Sequence, residues 1–429
     1  QDAQKNELVK DIYIEINKRI KPNDLVSATL YVSSIEYIDK SLREKQLAKL
    51  ENIKFKIISK DQTQTAEFHL NIGQQFEFIA NYEKAIENYK KSLAIRLDSF
   101  GEDHPDSCKA YESLGGGWMK TGEYNKAIEY FEKALAITLK SFGKDHPDLA
   151  GSYNYLGAVW GEKGEYDKAI EYYEKALAIT LKYFGKDHPD VALSYSNLGI
   201  DWHVKGESNK AIEYFEKALA IRLNSFGEDH LAVAIVYNSL GVVWCDKGKY
   251  NKAIEYYEKS LAIRLKYFGE EHPTVITAYN NLGVVSSEEG DNNKAIEYYE
   301  KALASRLKYF GEDHPDVAIA YNNLGTVSGE EGEYDKAIDY FEKSLAITLK
   351  SCGEDHVEVA RVYHNLGLAW SIKLEYNKAI EYYVLSAKIR LKISGEEHKL
   401  TQEAIKKACK LAKQSNNINL LPAWIKKLQ

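Results

Sequence analysis

The chain has 429 residues, a formal net charge of -7 and 32 tyrosines. The negative charge and the lack of a Lys/Arg block argue against nucleic acid or an anionic membrane as a partner. No apolar run approaches the ~20 residues needed to cross a bilayer. The four cysteines are Cys108, Cys245, Cys352 and Cys409. Because none forms a CxxC motif, we expect no zinc site and no disulfide framework, which favours a reducing, cytoplasmic location.

Short amphipathic patterns occupy residues 1–61. Before Pro22 interrupts the pattern, an apolar residue recurs every fourth position, at Leu8, Ile12, Ile16 and Ile20. No sustained heptad follows. We therefore expect residues 1–61 to form two or three short helices that cap the start of the following array.

Residues 62–398 repeat with a period of 42. The string Lys-Ala-Ile-Glu/Asp begins at Lys84, Lys126, Lys168, Lys210, Lys252, Lys294, Lys336 and Lys378. A glycine recurs in phase at Gly101, Gly143, Gly185, Gly227, Gly269, Gly311, Gly353 and Gly395. Self-similarity of this kind is the sequence signature of a repeat architecture. Eight copies without an insertion predict one continuous all-α solenoid.

Each repeat contains two helical patterns, as the third repeat illustrates. Its first pattern places four residues at i, i+3, i+4 and i+7 on one helix face, namely Tyr153, Leu156, Gly157 and Trp160. The second pattern runs through residues 167–184 and ends at Gly185, which suits a left-handed backbone conformation. The sequence therefore predicts a helix pair in every repeat.

The turn "KDHPD" at residues 186–190 starts the next first helix. We expect Asp187 to be its N-cap and Pro189 to lie in the first turn, where a missing N–H is harmless. Stacked helices lie ~10 Å apart, too far for the turn histidines to share a metal ion. A capping role is predicted for these histidines, which are His104, His146, His188, His230, His272, His314, His356 and His398.

The spacing of the third repeat resembles the tetratricopeptide repeat. It reads Tyr153-x2-Leu156-Gly157-x2-Trp160, followed by Ala169-x3-Tyr173. Gly157 and Ala169 are small enough to let the two helices approach closely. A period of 42 alone would also fit HEAT or armadillo repeats, but the Leu-Gly and Ala positions favour the tetratricopeptide form. The motifs "FGEDHP" and "YNNLG" are similar to those of kinesin light chain repeats.

This resemblance implies a right-handed superhelical solenoid of about eight helix pairs with helical caps at both ends. Residues 62–398 would hold the eight repeats. Residues 399–429 would form the C-terminal cap, with Leu420, Leu421 and Trp424 laid over a lone first helix. In tetratricopeptide proteins one face of the first helices lines a concave groove. Kinesin light chains favour acidic peptides with an aromatic anchor in that groove.

The groove-facing positions are predicted to begin one residue after the helix-packing face. A polar side chain recurs there, at Asn154, Ser196, Asn238, Asn280, Asn322 and His364. An amide can both donate to and accept from a peptide backbone. An apolar position follows at Ile200, Val242 and Val284, and an acidic rim at Asp246, Glu288 and Glu330. The alternative is that these amides bond only to neighbouring helices.

The charge of this predicted groove differs from that of kinesin light chains. Its basic candidates are few, namely Lys109, Lys120 and Arg361. The acidic rim would repel an acidic peptide, so a neutral or basic peptide is the expected ligand.

Other sequence features have structural explanations. Tryptophan is expected to pack between the two helices of a repeat at Trp118, Trp160, Trp202, Trp244 and Trp370. Ser286 and Ser328 replace it in two adjacent repeats, which predicts a weak spot or a local pocket. Cys245 has no evident base beside it, so nucleophilic catalysis is not expected.

No nucleotide-binding or metallohydrolase motif is present, and no enzyme activity, cofactor or metal is predicted. Two function classes stay open. The first is a scaffold or adaptor that binds an extended partner segment. The second is a sensor or autoinhibitory module of a larger regulatory protein. The sequence leaves the oligomeric state open.

Overall fold

A computed structural model describes residues 62–427, and the expectations for residues 1–61 lie outside this range. Within the described range every regular element is a helix, which confirms the all-α prediction. The chain divides into two compact units, residues 1–225 and 226–429.

The described helices follow one another in eight pairs before the C-terminal helices. The first unit contains α1 (Gln62–Phe78), α2 (Tyr82–Phe100), α3 (Pro105–Lys120), α4 (Tyr124–Phe142), α5 (Asp148–Glu162), α6 (Tyr166–Phe184), α7 (Pro189–Val204) and α8 (Ser208–Phe226). The second unit contains α9 (Leu231–Asp246), α10 (Tyr250–Phe268), α11 (Pro273–Glu289), α12 (Asn292–Phe310), α13 (Pro315–Glu330), α14 (Tyr334–Cys352), α15 (Val357–Ile372), α16 (Tyr376–Ser394), α17 (Lys399–Gln414) and α18 (Ala423–Lys427). A 3-10 turn, Ile418–Leu420, precedes α18.

Close approach within each pair depends on a glycine in the first helix. A Cβ built on Gly157 would lie 2.7 Å from the Tyr173 ring, and one on Gly199 would lie 2.8 Å from the Phe215 ring. Distances this short leave no room for a side chain. The predicted role of Gly157 is therefore confirmed.

The second helix of a pair ends at a glycine whose backbone other residues rarely adopt. Gly185 has φ 83° and ψ 168°, and its N–H donates to the carbonyl of Leu181. A positive φ with ψ near 180° is essentially restricted to glycine. The positive φ is as expected, but ψ near 180° places Gly185 outside the left-handed helical region, so that part of the prediction was wrong.

The next first helix is capped by histidine, so the prediction that Asp187 is the N-cap was wrong. His188 is the N-cap residue, and its Nδ1 accepts the backbone N–H of Asp190 at 3.2 Å. The Phe184 ring stacks on this imidazole at 4.4 Å. Pro189 begins α7 as expected. The imidazole is long enough to reach the backbone N–H two residues further along the chain.

In other repeats, the aspartate at the position of Asp187 forms an ion pair with a lysine of the following repeat. Lys140 lies 2.5 Å from Asp103 and Lys182 lies 2.8 Å from Asp145 in the first unit. The second unit repeats the contact between Lys266 and Asp229 at 2.5 Å. These side chains are exposed, so each pair adds little to the stability of the fold. Their regular recurrence fixes one more contact between neighbouring repeats.

The tryptophans pack between helices and carry lysines on their faces. The Nζ atoms of Lys163 and Lys168 lie 4.7 and 4.0 Å from the Trp160 ring centroid. This arrangement combines burial of the ring with a cation–π contact. Each such tryptophan is half-buried.

Two repeats of the second unit lack this ring. Ser286 and Ser328 are buried at the tryptophan position, and the Ser286 hydroxyl has no partner within the described residues. The lysines at the equivalent positions pair with carboxylates, Lys294 with Asp291 and Lys336 with Glu333, as Lys168 pairs with Glu165 beside Trp160.

The C-terminal segment packs on α17, although not through every predicted residue. Leu421 and Ile425 are buried in one apolar cluster with residues of α17, and Trp424 packs against it. Leu420 is exposed, so its predicted contact was wrong. Between residues 62 and 427, no helix combines the length and apolarity needed to cross a bilayer.

Candidate functional site

The first helices of the second unit share a face that no second helix covers. Residues at i, i+7 and i+11 lie on the same side of a helix. We define the exposed face of the second unit by these positions: Ile235, Val242 and Asp246 on α9, Thr277, Val284 and Glu288 on α11, Ile319, Thr326 and Glu330 on α13, and Arg361, Leu368 and Ile372 on α15. All of these residues are exposed or half-buried.

Large apolar side chains on this face are exposed to solvent. Val284 is 40% exposed and Leu368 is 45% exposed, while Val242 is half-buried. In the first unit, Ile200 occupies the equivalent position of α7 and is 49% exposed. Aliphatic side chains of this size stabilise a protein when they are buried, so their repeated exposure suggests a surface that a partner covers.

The predicted polar row lies deeper than the apolar residues. Asn322 is only 2% exposed, whereas Asn238 and Asn280 are half-buried. The amide oxygen of Asn280 accepts a hydrogen bond from Asn323 at 3.2 Å, and that of Asn322 accepts one from Asn365 at 3.0 Å. For these two oxygens the structure shows the alternative that the sequence left open, a bond to the neighbouring first helix. Their direct role in binding stays a prediction.

His364 and Ser196, which continue the polar row, also have internal partners. The Nε2 of His364 lies 3.0 Å from the Lys407 ammonium on α17. Burial, aided by Lys407, lowers the pKa of His364 to about 4, so the imidazole is neutral and accepts this hydrogen bond. In the first unit, the Ser196 hydroxyl donates to the carbonyl of Ala192 at 2.9 Å.

The sequence analysis named only the first residue of the adjacent pairs Asn322-Asn323 and His364-Asn365, and it missed the amide that follows. Asn323 and Asn365 use their N–H groups for the bonds to the preceding repeat. Within the described residues no donor reaches their amide oxygens. Both residues are half-buried beside the apolar row. The recurring "NNLG" and "HNLG" doublets were the available signal, because the second residue recurs with the same period.

The rim of the exposed face is acidic. Asp246, Glu288 and Glu330 are all exposed, as predicted for a rim. Arg361 lies on the same face, but its guanidinium lies 2.5 Å from the Glu358 carboxylate. Burial, with further contributions from Glu330 and Glu288, raises the pKa of Tyr299 to about 12. This surface is therefore suited to neutral or cationic groups.

A small cavity opens at the end of this face between α13 and α15. It has a volume of about 200 Å³ and includes Thr326, Glu330, Asn365, Leu368 and Ile372 in its wall. Gly329 helps to open it, because a Cβ there would have only Ala337 within 4 Å. The cavity could accommodate one apolar side chain next to the free amide oxygen of Asn365.

The part of the chain that the structure describes offers no cluster of side chains for a metal ion. No three His, Cys, Asp or Glu side chains there are placed to hold a metal ion. Cys245 is a half-buried free thiol. Burial raises its pKa, and Asp246 and Glu288 act in the same direction, which disfavours the reactive thiolate.

The repeated helix pairs match two family models, both described as tetratricopeptide repeat. One matches residues 119–179, 149–205, 202–266, 234–308, 274–350 and 316–392, and the other matches residues 80–106. These matches together cover well over half of the chain. The chain belongs to the tetratricopeptide repeat family.

Solved tetratricopeptide structures resemble this chain at low sequence identity. The apo form of RapI is 16% identical with a TM-score of 0.55, covering 82% of this chain and 98% of its own. BtubC (BKLC) from P. vanneervenii is 27% identical, with a TM-score of 0.46 and coverage of 54% and 91%. TPR-like repeats attributed to a kinesin light chain of Podosopora anserina are 24% identical, with a TM-score of 0.46 and coverage of 48% and 99%. A search of curated proteins finds no match.

The likeness to RapI supports the fold of this tetratricopeptide repeat chain and nothing about its ligand. Family membership supports a role in protein–protein interaction, since such repeats generally serve that purpose without catalysing a reaction. The ligand must be argued from the side chains of the exposed face.

Proposed function

We propose that this tetratricopeptide repeat chain is a non-catalytic interaction scaffold whose second unit binds an extended protein segment along its exposed face. The proposal rests on one observation. Exposed aliphatic side chains lie beside amide oxygens that accept no hydrogen bond from the described residues. Val284 and Leu368 would cover apolar side chains of the segment. Asn323 and Asn365 would accept its backbone N–H groups.

The expected ligand is neutral to basic. Asp246, Glu288 and Glu330 line the rim, while Arg361 is already paired. A cationic segment would gain Coulomb attraction here, and an acidic segment would meet like charges. This preference is opposite to that of the acidic peptides favoured by kinesin light chains.

An array of 15-residue peptides with graded net charge tests the proposal. We expect the full chain to retain neutral and basic peptides that contain spaced aliphatic residues, and to reject their acidic counterparts. Calorimetry on the best peptide should show weaker binding as salt increases.

Charge reversal provides the matched control. Changing Glu288 and Glu330 together to lysine should shift the array toward acidic peptides while the helical content is unchanged. Preferential retention of acidic peptides by the unaltered chain would contradict the charge assignment. An unchanged preference in the reversed variant would place the binding surface elsewhere.

A further inference from the structure

The first unit contains a large cleft that the proposed function does not use. Its volume is about 720 Å³, and residues of α3, α5 and α7 border it. Gly151 forms part of its wall, and a Cβ built there would meet nothing within 4 Å. A cleft of this size can hold a small molecule or a side chain with its flanking backbone.

Negative charge dominates the wall of this cleft. Three aspartates and one glutamate face a single lysine, Lys109; the carboxylates belong to Asp106, Glu112, Asp148 and Asp190. Glu112 differs from the aspartates because it is half-buried, not exposed. No hydrogen bond or ion pair from the described residues reaches its carboxylate.

An unfilled hydrogen-bond acceptor in the same wall is an independent sign of a ligand. The amide oxygen of Asn154 is buried and accepts no hydrogen bond from the described residues. Asn280 and Asn322 hold the equivalent position in the second unit, where an amide N–H fills each oxygen. A buried acceptor left without a donor destabilises the folded chain, and a bound N–H group would satisfy it.

We propose that the cleft binds the cationic side chain of a lysine or arginine in a protein segment, with Glu112 as counter-ion and Asn154 Oδ1 as acceptor. This site goes beyond the exposed face of the second unit, because it lies in the other unit and uses different residues. It binds an ammonium or guanidinium group, which supplies both the positive charge and the N–H donors that the cleft lacks.

Proton release should accompany binding. Burial is the main cause that raises the pKa of Glu112 to about 7, Asp148 adds to it, and Lys109 opposes it. A bound cation favours the ionised carboxylate, so at pH 7 binding would release up to about half a proton. If only the ionised form binds, affinity should rise about tenfold from pH 6 to pH 8.

Other ionisable groups near Glu112 must be separated from this effect. Burial raises the pKa of the Tyr155 phenol and of the Cys108 thiol, which moves both further from the range between pH 6 and 8. The remaining groups that line this cleft or the smaller one beside it are Glu77 from α1, Tyr89 from α2, Lys109 and Asp106 from α3, Asp148 from α5 and Asp190 from α7.

Calorimetry with end-blocked tetralysine and the full chain tests the site. The same peptide with acetylated side chains is the neutral control. We expect binding of tetralysine only, tightening about tenfold from pH 6 to pH 8. Repeating the titration at pH 7 in two buffers of different ionisation enthalpy should reveal the released proton. Equal binding of both peptides, or affinity independent of pH, would overturn the proposal.

The decisive variant is Glu112→Asn, because Asn154 already holds this position in the next repeat. It should weaken binding at least tenfold at pH 8 and remove the proton release. The control Glu129→Asn, at an exposed position of α4 outside the cleft, should leave both unchanged. If Glu288→Asn weakens binding and Glu112→Asn does not, the cleft assignment fails while the proposed function stands. Binding of spermine without binding of tetralysine would also overturn the assignment to a protein segment.

Discussion

The two units are built from nearly the same repeat but satisfy their polar groups differently. In the second unit, Asn280 and Asn322 are bonded to amides of the following repeat. In the first unit, Glu112 and Asn154 hold the same helix position without such partners. Asn154 is the same residue type as Asn280 and Asn322, so the difference between the units lies in the hydrogen-bond partner and not in the amide itself. The proposed ligand of the cleft would supply the kind of partner that Asn280 and Asn322 already have.

A second contrast concerns the core. The first unit has tryptophan where two repeats of the second unit have Ser286 and Ser328. Conversely, the first unit places Asp201 at a core position that is Val159, Val243, Val285 and Val327 in other repeats. Asp201 is 6% exposed, and its Oδ2 has no partner within the described residues. Each unit therefore carries its own internal weakness.

The largest expected effect comes from replacing a tryptophan of the first unit with the serine that occupies its position in the second unit. Trp160→Ser should lower the free energy of unfolding by about 2–3 kcal/mol, since it removes a half-buried ring and its lysine contacts. Urea unfolding measures the change. In the unaltered chain, hydrogen exchange should be faster across residues 270–335 than across 150–200.

Ser286→Ala is the matched control for that substitution. It removes a buried hydroxyl without a partner and should stabilise the chain by up to about 1 kcal/mol. If Trp160→Ser lowers the free energy of unfolding by less than about 0.5 kcal/mol, the tryptophan does not explain the difference in stability between the units. Slower hydrogen exchange across residues 270–335 would lead to the same conclusion.

The second expected effect depends on pH. Burial raises the pKa of Asp201 to about 7, so the folded chain holds this proton more tightly than the unfolded chain does. Stability from this group should therefore fall as the pH rises from about 4 through about 7. Asp201→Val should raise the free energy of unfolding by about 2 kcal/mol at pH 8 and by less at pH 5.

Urea unfolding at both pH values checks the prediction for Asp201. Glu112 also has a raised pKa and acts in the same direction, so Glu112→Asn separates the two contributions. Val285→Asp in the second unit should create the same pH dependence there. A pH profile that Asp201→Val leaves unchanged would contradict the prediction.

The third expected effect is on binding by the second unit. Changing Asn323 and Asn365 to alanine removes two acceptors worth about 0.5–1.5 kcal/mol each, which predicts about tenfold weaker binding of the best array peptide. Calorimetry measures the affinity and a melting curve monitors the fold. Asn280→Ala is the control, because it breaks the same inter-repeat bond but keeps the Asn323 oxygen. An equal loss of affinity in both variants would show that the amide pair is structural.

The smallest expected effect lies in a turn at the end of the second unit. Leu374 has φ 64°, at a position that is Gly332 with φ 82° in the preceding repeat. A left-handed backbone costs a non-glycine residue about 1 kcal/mol. Leu374→Gly should therefore raise the midpoint of urea unfolding, and Gly332→Ala should lower it. Ala80, with φ 59°, offers the same test in the first unit. Opposite shifts would mean that packing, not backbone strain, selects the residue.

The sequence was most informative where a feature recurs. Gly157 and Ala169 were predicted to let the two helices approach closely, and the short distance from Gly157 to the Tyr173 ring confirms this for Gly157. Asp187 was misassigned as the N-cap because propensity ranks aspartate above histidine, whereas the longer imidazole reaches the right N–H.

The remaining site residues could not be found from periodicity alone. Glu112 and Asp201 matter because they depart from the repeat, and a departure acquires meaning only when its burial is known. The amides were assigned one residue away from Asn323 and Asn365, because a helix face read from sequence does not show which of two neighbours faces the next repeat.

The ion pair between neighbouring repeats has a consequence for the evolution of the chain. Where the pair forms, the turn carboxylate of one repeat contacts a lysine of the next repeat, as Asp103 contacts Lys140. Removing or duplicating a whole 42-residue block within the second unit would bring an equivalent carboxylate and lysine together again. Unequal recombination in the gene could thus change the number of repeats without creating a mismatched junction. Point substitutions such as those at positions 112 and 201 could then give individual copies separate roles.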